Sequence, residues 1–253
     1  MSYPKDILST RAIVKTGLYA ILPRGGLVNN VLPGVEKAKV SIVASPKLGA
    51  SFVQYVIEAE AGAVVREPLC QETGVDGFFY CIEGAAECEA GGRTYSLTAG
   101  GYVYVPAGQG GIKFACKQPA RLLLYKQKYI PLPDREPYLV QGNVNEIPFM
   151  EYEGMKNVFI KDLLPKDIAF DMNMHILSFE PGGCHSFVET HVQEHGAYIL
   201  SGEGMYIMEN EWLPIRKDDF MWFGPYVPQG SYGVGREPFA YIYSKDCNRD
   251  VSL

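Results

Sequence analysis

The chain has 253 residues, 47% hydrophobic and 21% charged, with no low-complexity tract; that apolar content can offset the entropy of ordering, which excludes global disorder and leaves one large or two small domains. A net charge of −6 excludes a phosphate backbone or an anionic membrane as the main partner, because both need clustered Lys and Arg, and leaves a small molecule or another protein. No stretch reaches the ~20 apolar residues that span a bilayer, residues 1–6 lack a signal-peptide pattern, and six cysteines without C-x-x-C spacing are expected to be free thiols, so a cytoplasmic protein is expected.

In chain order, residues 52–58, 77–82 and 101–105 are short runs of β-branched and aromatic residues between Gly and Pro turns, and are predicted as strands. The proline- and charge-rich stretch 131–137 is predicted to be an exposed connection. Residues 157–168 have a helical or turn-rich character, after which strands resume at 174–180, 197–200, 205–208 and 219–223. The chain is therefore all-β. A shift of 118 residues (200 − 82) lays Ile82-Glu83-Gly84 on Leu200-Ser201-Gly202, and residues 100–104 on 218–222. Two copies of one plan follow, with the domains placed at 1–140 and 141–253.

The halves differ in chemistry. His175, His185, His191 and His195 all fall in the second half, within 21 residues, and the first half has no histidine. The run Gly183-x5-Glu189-x-His191-x3-His195-x6-Gly202, followed by Asp218-x5-Gly224-x-Tyr226-x2-Gln229, matches the spacing of the two cupin motifs, with the ligand types permuted to Glu, His, His and Gln. Residues two apart on a strand point to one face, which aims Glu189 and His191 together. A turn over 192–194 then lets His195 enter on the next strand, and Gln229 arrives from a later one. Two imidazoles, a carboxylate and an amide oxygen form a thiolate-free set suited to Mn²⁺ or Fe²⁺, or another divalent ion, in an open octahedron. The same shift places Gln71, Thr73, Gly77 and Gly111 at the four ligand positions of the first half, which is expected to be a metal-free barrel that serves packing or oligomerisation.

Other readings of these residues weigh less. His191-Val-Gln-Glu194-His195 matches the H-x-x-E-H of inverted zinc proteases, but that motif needs a helix, and a strand-like run begins right after Gly196. His175 and His185 lie outside the ligand spacing and are expected to be structural, with His185 near the pocket mouth; Cys184 lies beside the chemistry with no part assigned to it.

Residues 170–179, 189–202 and 241–250, together with 11–15 and 45–52 in the first half, closely resemble the (S)-ureidoglycine aminohydrolases. The resemblance covers nearly the whole chain. It implies a bicupin of two tandem barrels that is manganese-dependent, belongs to purine and allantoin catabolism, and hydrolyses (S)-ureidoglycine to (S)-ureidoglycolate with release of ammonia. It implies Glu189, His191, His195 and Gln229 as metal ligands; Glu189, Tyr206, Tyr241 and Lys245 as substrate contacts; and Lys245 and Glu189 as catalytic groups. Lys245 can pair with a carboxylate or manage protons at the amine, and the tyrosines can orient the substrate. The expected partner is a small-molecule substrate, in a homo-oligomer without nucleic acid or membrane. The alternatives are a cupin dioxygenase acting on a small organic acid, which would consume O₂, and a non-catalytic ligand-binding bicupin, which would not need four ligands.

Overall fold

A computed structural model describes residues 12–251 of the chain. The reading of residues 1–6, and Arg11 of the resemblance, lie outside the described residues. In chain order the strands are β1 (Ile13–Lys15), β2 (Tyr19–Leu22), β3 (Val35–Ala44), β4 (Phe52–Val65), β5 (Val75–Glu83), β6 (Ala85–Ala90), β7 (Arg93–Thr98), β8 (Gly101–Val105), β9 (Ile112–Cys116) and β10 (Ala120–Lys128). After the connection come β11 (Val140–Asn143), β12 (Met150–Glu151), β13 (Val158–Asp162), β14 (Asn173–Phe179), β15 (His195–Ser201), β16 (Glu203–Met208), β17 (Glu211–Arg216), β18 (Phe220–Phe223), β19 (Gln229–Gly233) and β20 (Phe239–Lys245). No helix among the described residues is long and apolar enough to cross a membrane.

Two compact units form, and each draws segments from both ends of the chain. One takes the described residues to Leu27, then Glu151–Ile160 and Ile176–Ser244; the other takes Val28–Met150, Lys161–His175 and the described residues from Lys245. The reason is strand pairing. Tyr19–Leu22 of β2 pairs antiparallel with Phe220–Phe223 of β18, so the beginning of the chain joins the later unit. In the earlier unit, β11 pairs with β8 beyond the exposed connection.

The repeat seen in the sequence holds strand by strand. Adding 118 to β5, β6, β7, β8 and β9 lands within two residues of the start of β15, β16, β17, β18 and β19. Each copy also ends in a long strand, β10 or β20, whose pairing with β5 or β15 shifts register once, at Arg121/Leu122 on β10 or at Ile199/Ser201 on β15. Gly84 and Gly202 sit at the same turn with φ of 81° and 70°, and a Cβ on either would lie 2.5 Å from a proline carbonyl, Pro119 or Pro238. Only glycine fits that approach.

Alternation places the cores. On β4, Tyr55, Ile57 and Ala59 join Phe79, Phe114, Leu122 and Leu124 inside the earlier unit. On β16 and β20, Tyr206, Met208, Tyr241 and Tyr243 join Phe179 and Phe223 inside the later one. The stretch 157–168 corrects an expectation: its first part is strand β13, since Val158, Phe159 and Ile160 favour extended backbone, and the remainder is irregular.

Candidate metal centre

Residues 183–189 run beside β19 without forming a regular strand. His185 N–H donates to Ser231 O at 3.0 Å, and Glu189 and Gln229 exchange backbone hydrogen bonds at 2.7 and 2.9 Å. The predicted strand through Glu189 and His191 is therefore a bridged loop, although the two side chains still turn the same way, with His191 Nε2 3.9 Å from Glu189 Oε2. The loop is pinned from outside: Tyr226 N–H donates to His191 O at 2.7 Å, and Thr190 Oγ1 donates to Tyr226 O at 2.9 Å. His195 then opens β15, and no helix runs through residues 191–195, which removes the protease motif.

Both imidazoles are set in the ligating tautomer. His191 Nδ1 lies 2.9 Å from Gln193 O and His195 Nδ1 lies 2.9 Å from Ser244 O. A carbonyl oxygen only accepts, so each ring proton sits on Nδ1 and each lone pair on Nε2. The rings are 4.9 Å apart, and Phe223 and Tyr243 meet His195 edge-on at 4.8 and 4.9 Å, which fixes its orientation.

The amide and carboxylate belong to one hydrogen-bond chain. Tyr206 Oη donates to Gln229 Oε1 at 2.6 Å, and Gln229 Nε2 donates to Glu189 Oε2 at 2.8 Å. Tyr206 also shares a side-chain hydrogen bond with Tyr241, and burial raises both phenols well above their ordinary range, so both remain protonated donors. Among the described residues, no three His, Cys, Asp or Glu side chains stand in a closed ligand arrangement. The grouping here is two imidazoles, one carboxylate and one amide, with the carboxylate held toward His185 and Gln229.

His185 contributes more than its spacing suggested. Ser231 N–H donates to its Nδ1 at 2.9 Å, so the neutral ring carries its proton on Nε2, 3.5 Å from Glu189 Oε1. Burial, with His191 adding to it, pushes its pKa down to about 4. No motif spacing could have singled it out; its role follows from the ladder to β19. His175 answers to Asp162 instead, with Nδ1 2.7 Å from Oδ1, and this bond with its ring holds Asp162 down at about 2.

The structure thus brings together Glu189, His191, His195, Gln229, Tyr206 and Tyr241. Lys245 ends β20 on the strand face that carries Tyr241 and Tyr243, and its charge acts on His175. Cys184 is half-buried and bridges Tyr232 through the backbone.

No protein-family model matches the chain. It is 48% identical over 254 aligned residues to the (S)-ureidoglycine aminohydrolase of Escherichia coli strain K12, covering 99% of this chain and 97% of that protein. The crystal structure of protein Ylba from E. coli superposes with a TM-score of 0.89 at 44% identity, covering 100% of both chains. An oxalate decarboxylase from Bacillus subtilis matches with a TM-score of 0.66 at 13% identity, covering 100% of this chain and 86% of that one, and shares the fold alone. The architecture is the bicupin one read from the sequence.

Proposed function

The chain belongs to the (S)-ureidoglycine aminohydrolase family, and on that premise we propose that Glu189, His191, His195 and Gln229 hold a manganese ion at which (S)-ureidoglycine is hydrolysed to (S)-ureidoglycolate and ammonia. The observation that carries the metal reading is the pair of imidazoles, each with Nδ1 at 2.9 Å from a backbone carbonyl and its lone pair on Nε2. A divalent ion held there supplies Lewis acidity toward the substrate.

The reaction breaks the C–N bond to the substrate amine, puts a water oxygen on that carbon, and sends a water proton away on ammonia. Tyr206, whose single O–H goes to Gln229 Oε1, meets the substrate as an acceptor for a ureido N–H, and Tyr241 beside it helps orient the carbon. Lys245 carries the one cationic role, pairing with the carboxylate or passing a proton at the leaving amine. Glu189 takes part in both ligand and substrate contacts, and His185 Nε2–H at 3.5 Å holds its outer oxygen. The buried aromatic wall of Phe223 and Tyr243 excludes bulk water from one side. We place the enzyme in the cytoplasm as a homo-oligomer.

The test couples the protein to an allantoate-opening enzyme and follows ammonia anaerobically with and without Mn²⁺. Manganese-dependent ammonia release supports the reading. Oxygen consumption without ammonia release would favour a dioxygenase instead.

A further inference from the structure

The barrel that lacks the candidate ligand set keeps a cavity of its own. At the positions equivalent to His195 and Gln229 stand Gly77 and Gly111. A Cβ on Gly77 would lie 2.9 Å from Cys70 Sγ and 3.0 Å from Ile112 Cδ1, and one on Gly111 would strike Leu69 O, so packing has replaced the inner part of the site. Outside that plug lies a cavity of about 260 Å³, lined by Tyr55, Gln71, Glu72 and Lys126 over an apolar floor that includes Leu69 and Leu124. Its size suits a metabolite rather than a larger ligand.

Lys126 is the repeat counterpart of Lys245. Leu122 pairs with Cys81 as Tyr241 pairs with Ile199, and four residues on from each stand Lys126 and Lys245. Alternation with Leu122 and Leu124, both in the core, turns Lys126 inward. There it forms an ion pair with Glu72, and Tyr55 shares a hydrogen bond with it. The side chains of Lys126 and Glu72 are 22% and 52% exposed, so this bridge opens at small cost.

We propose that this cavity is a binding site for a small zwitterion carrying one carboxylate and one ammonium, the class of the free amino acids. The charges select it. An anion on Lys126 meets the carboxylate of Glu72 beside it, and a cation on Glu72 meets Lys126. A dipolar ion satisfies both and leaves no uncompensated charge. The apolar floor takes a short aliphatic side chain, and Gln71 and Tyr55 add hydrogen-bond partners. The proposal goes beyond the hydrolytic reaction and does not rest on the metal reading.

The test is calorimetric titration of glycine and L-alanine into the full-length protein, with acetate and ethylammonium as single-charge controls. An amino acid should bind with a Kd on the order of 1 mM or tighter. Lys126→Met and Glu72→Gln, each checked for an unchanged thermal transition, should each weaken binding by about tenfold or more. The exchanged pair, Lys126→Glu with Glu72→Lys, should recover it, and His191→Ala in the other barrel should leave it unchanged. Absence of binding, equal binding of acetate or ethylammonium, indifference to both single variants, failure of the exchanged pair, or loss in His191→Ala would each overturn the proposal.

Discussion

At the scale of single residues, the site depends on where protons sit. Nδ1 of His191 and of His195 is committed to a carbonyl, whereas Nδ1 of His185 accepts from Ser231 N–H, so His185 presents a proton to Glu189 rather than a lone pair. His185→Leu removes that donor and is expected to lower metal affinity or activity by about 10–100-fold, as loss of an outer hydrogen bond at a metal site does. His185→Gln, which can place an N–H at similar reach, should recover part of the loss; equal damage in both variants would assign His185 a packing role. Lys245→Ala should keep the metal and lose turnover, measured as metal content beside kcat, and unchanged kinetics would remove Lys245 from the reaction. The grouping of Glu189, His191, His195 and Gln229 was legible in the sequence because two motif spacings and a histidine cluster coincide at them. His185 was not, because its role is made by a backbone ladder to residues more than forty positions away.

At the scale of elements, the internal repeat carried most of what the sequence disclosed. The strand pattern and the shift of 118 residues matched the two sets of strands, because alternation and turn glycines are local signals. Two features were not legible. The pairing of β2 with β18 joins residues about 200 positions apart, and no periodicity reports it. The strand in 158–162 is short and flanked by turns, so its local pattern resembles a connection. The repeat glycine gives the test at this scale. Gly202→Ala sets a Cβ at 2.5 Å from Pro238 O with φ at 70°, and should cost about 2–4 kcal/mol in denaturant unfolding. A loss below about 0.5 kcal/mol would mean that the turn relaxes freely.

At the scale of the whole molecule, stability should depend on pH through a buried carboxyl in the first barrel. Burial, with the charge of Asp171 adding to it, raises Asp76 to about 7, although Tyr104 Oη donates to it at 2.7 Å. In the unfolded chain the same group titrates near its ordinary value of 3.8. The folded state therefore holds a proton that the unfolded chain has released, so this contribution is fully present below about pH 4 and is lost as pH rises through about 7. Asp76→Asn should flatten that fall and leave the variant more stable than the parent at pH 8 by roughly 1–3 kcal/mol. Thermal unfolding across pH 4–8 reads it, and parallel curves for parent and variant would contradict it. In the second barrel, the metal assignment and the reaction stand or fall together on one paired measurement of His191→Ala: metal content, and ammonia release from freshly generated ureidoglycine. The variant should remain folded and lose both bound manganese and ammonia release; full metal occupancy with undiminished turnover would contradict the assignment.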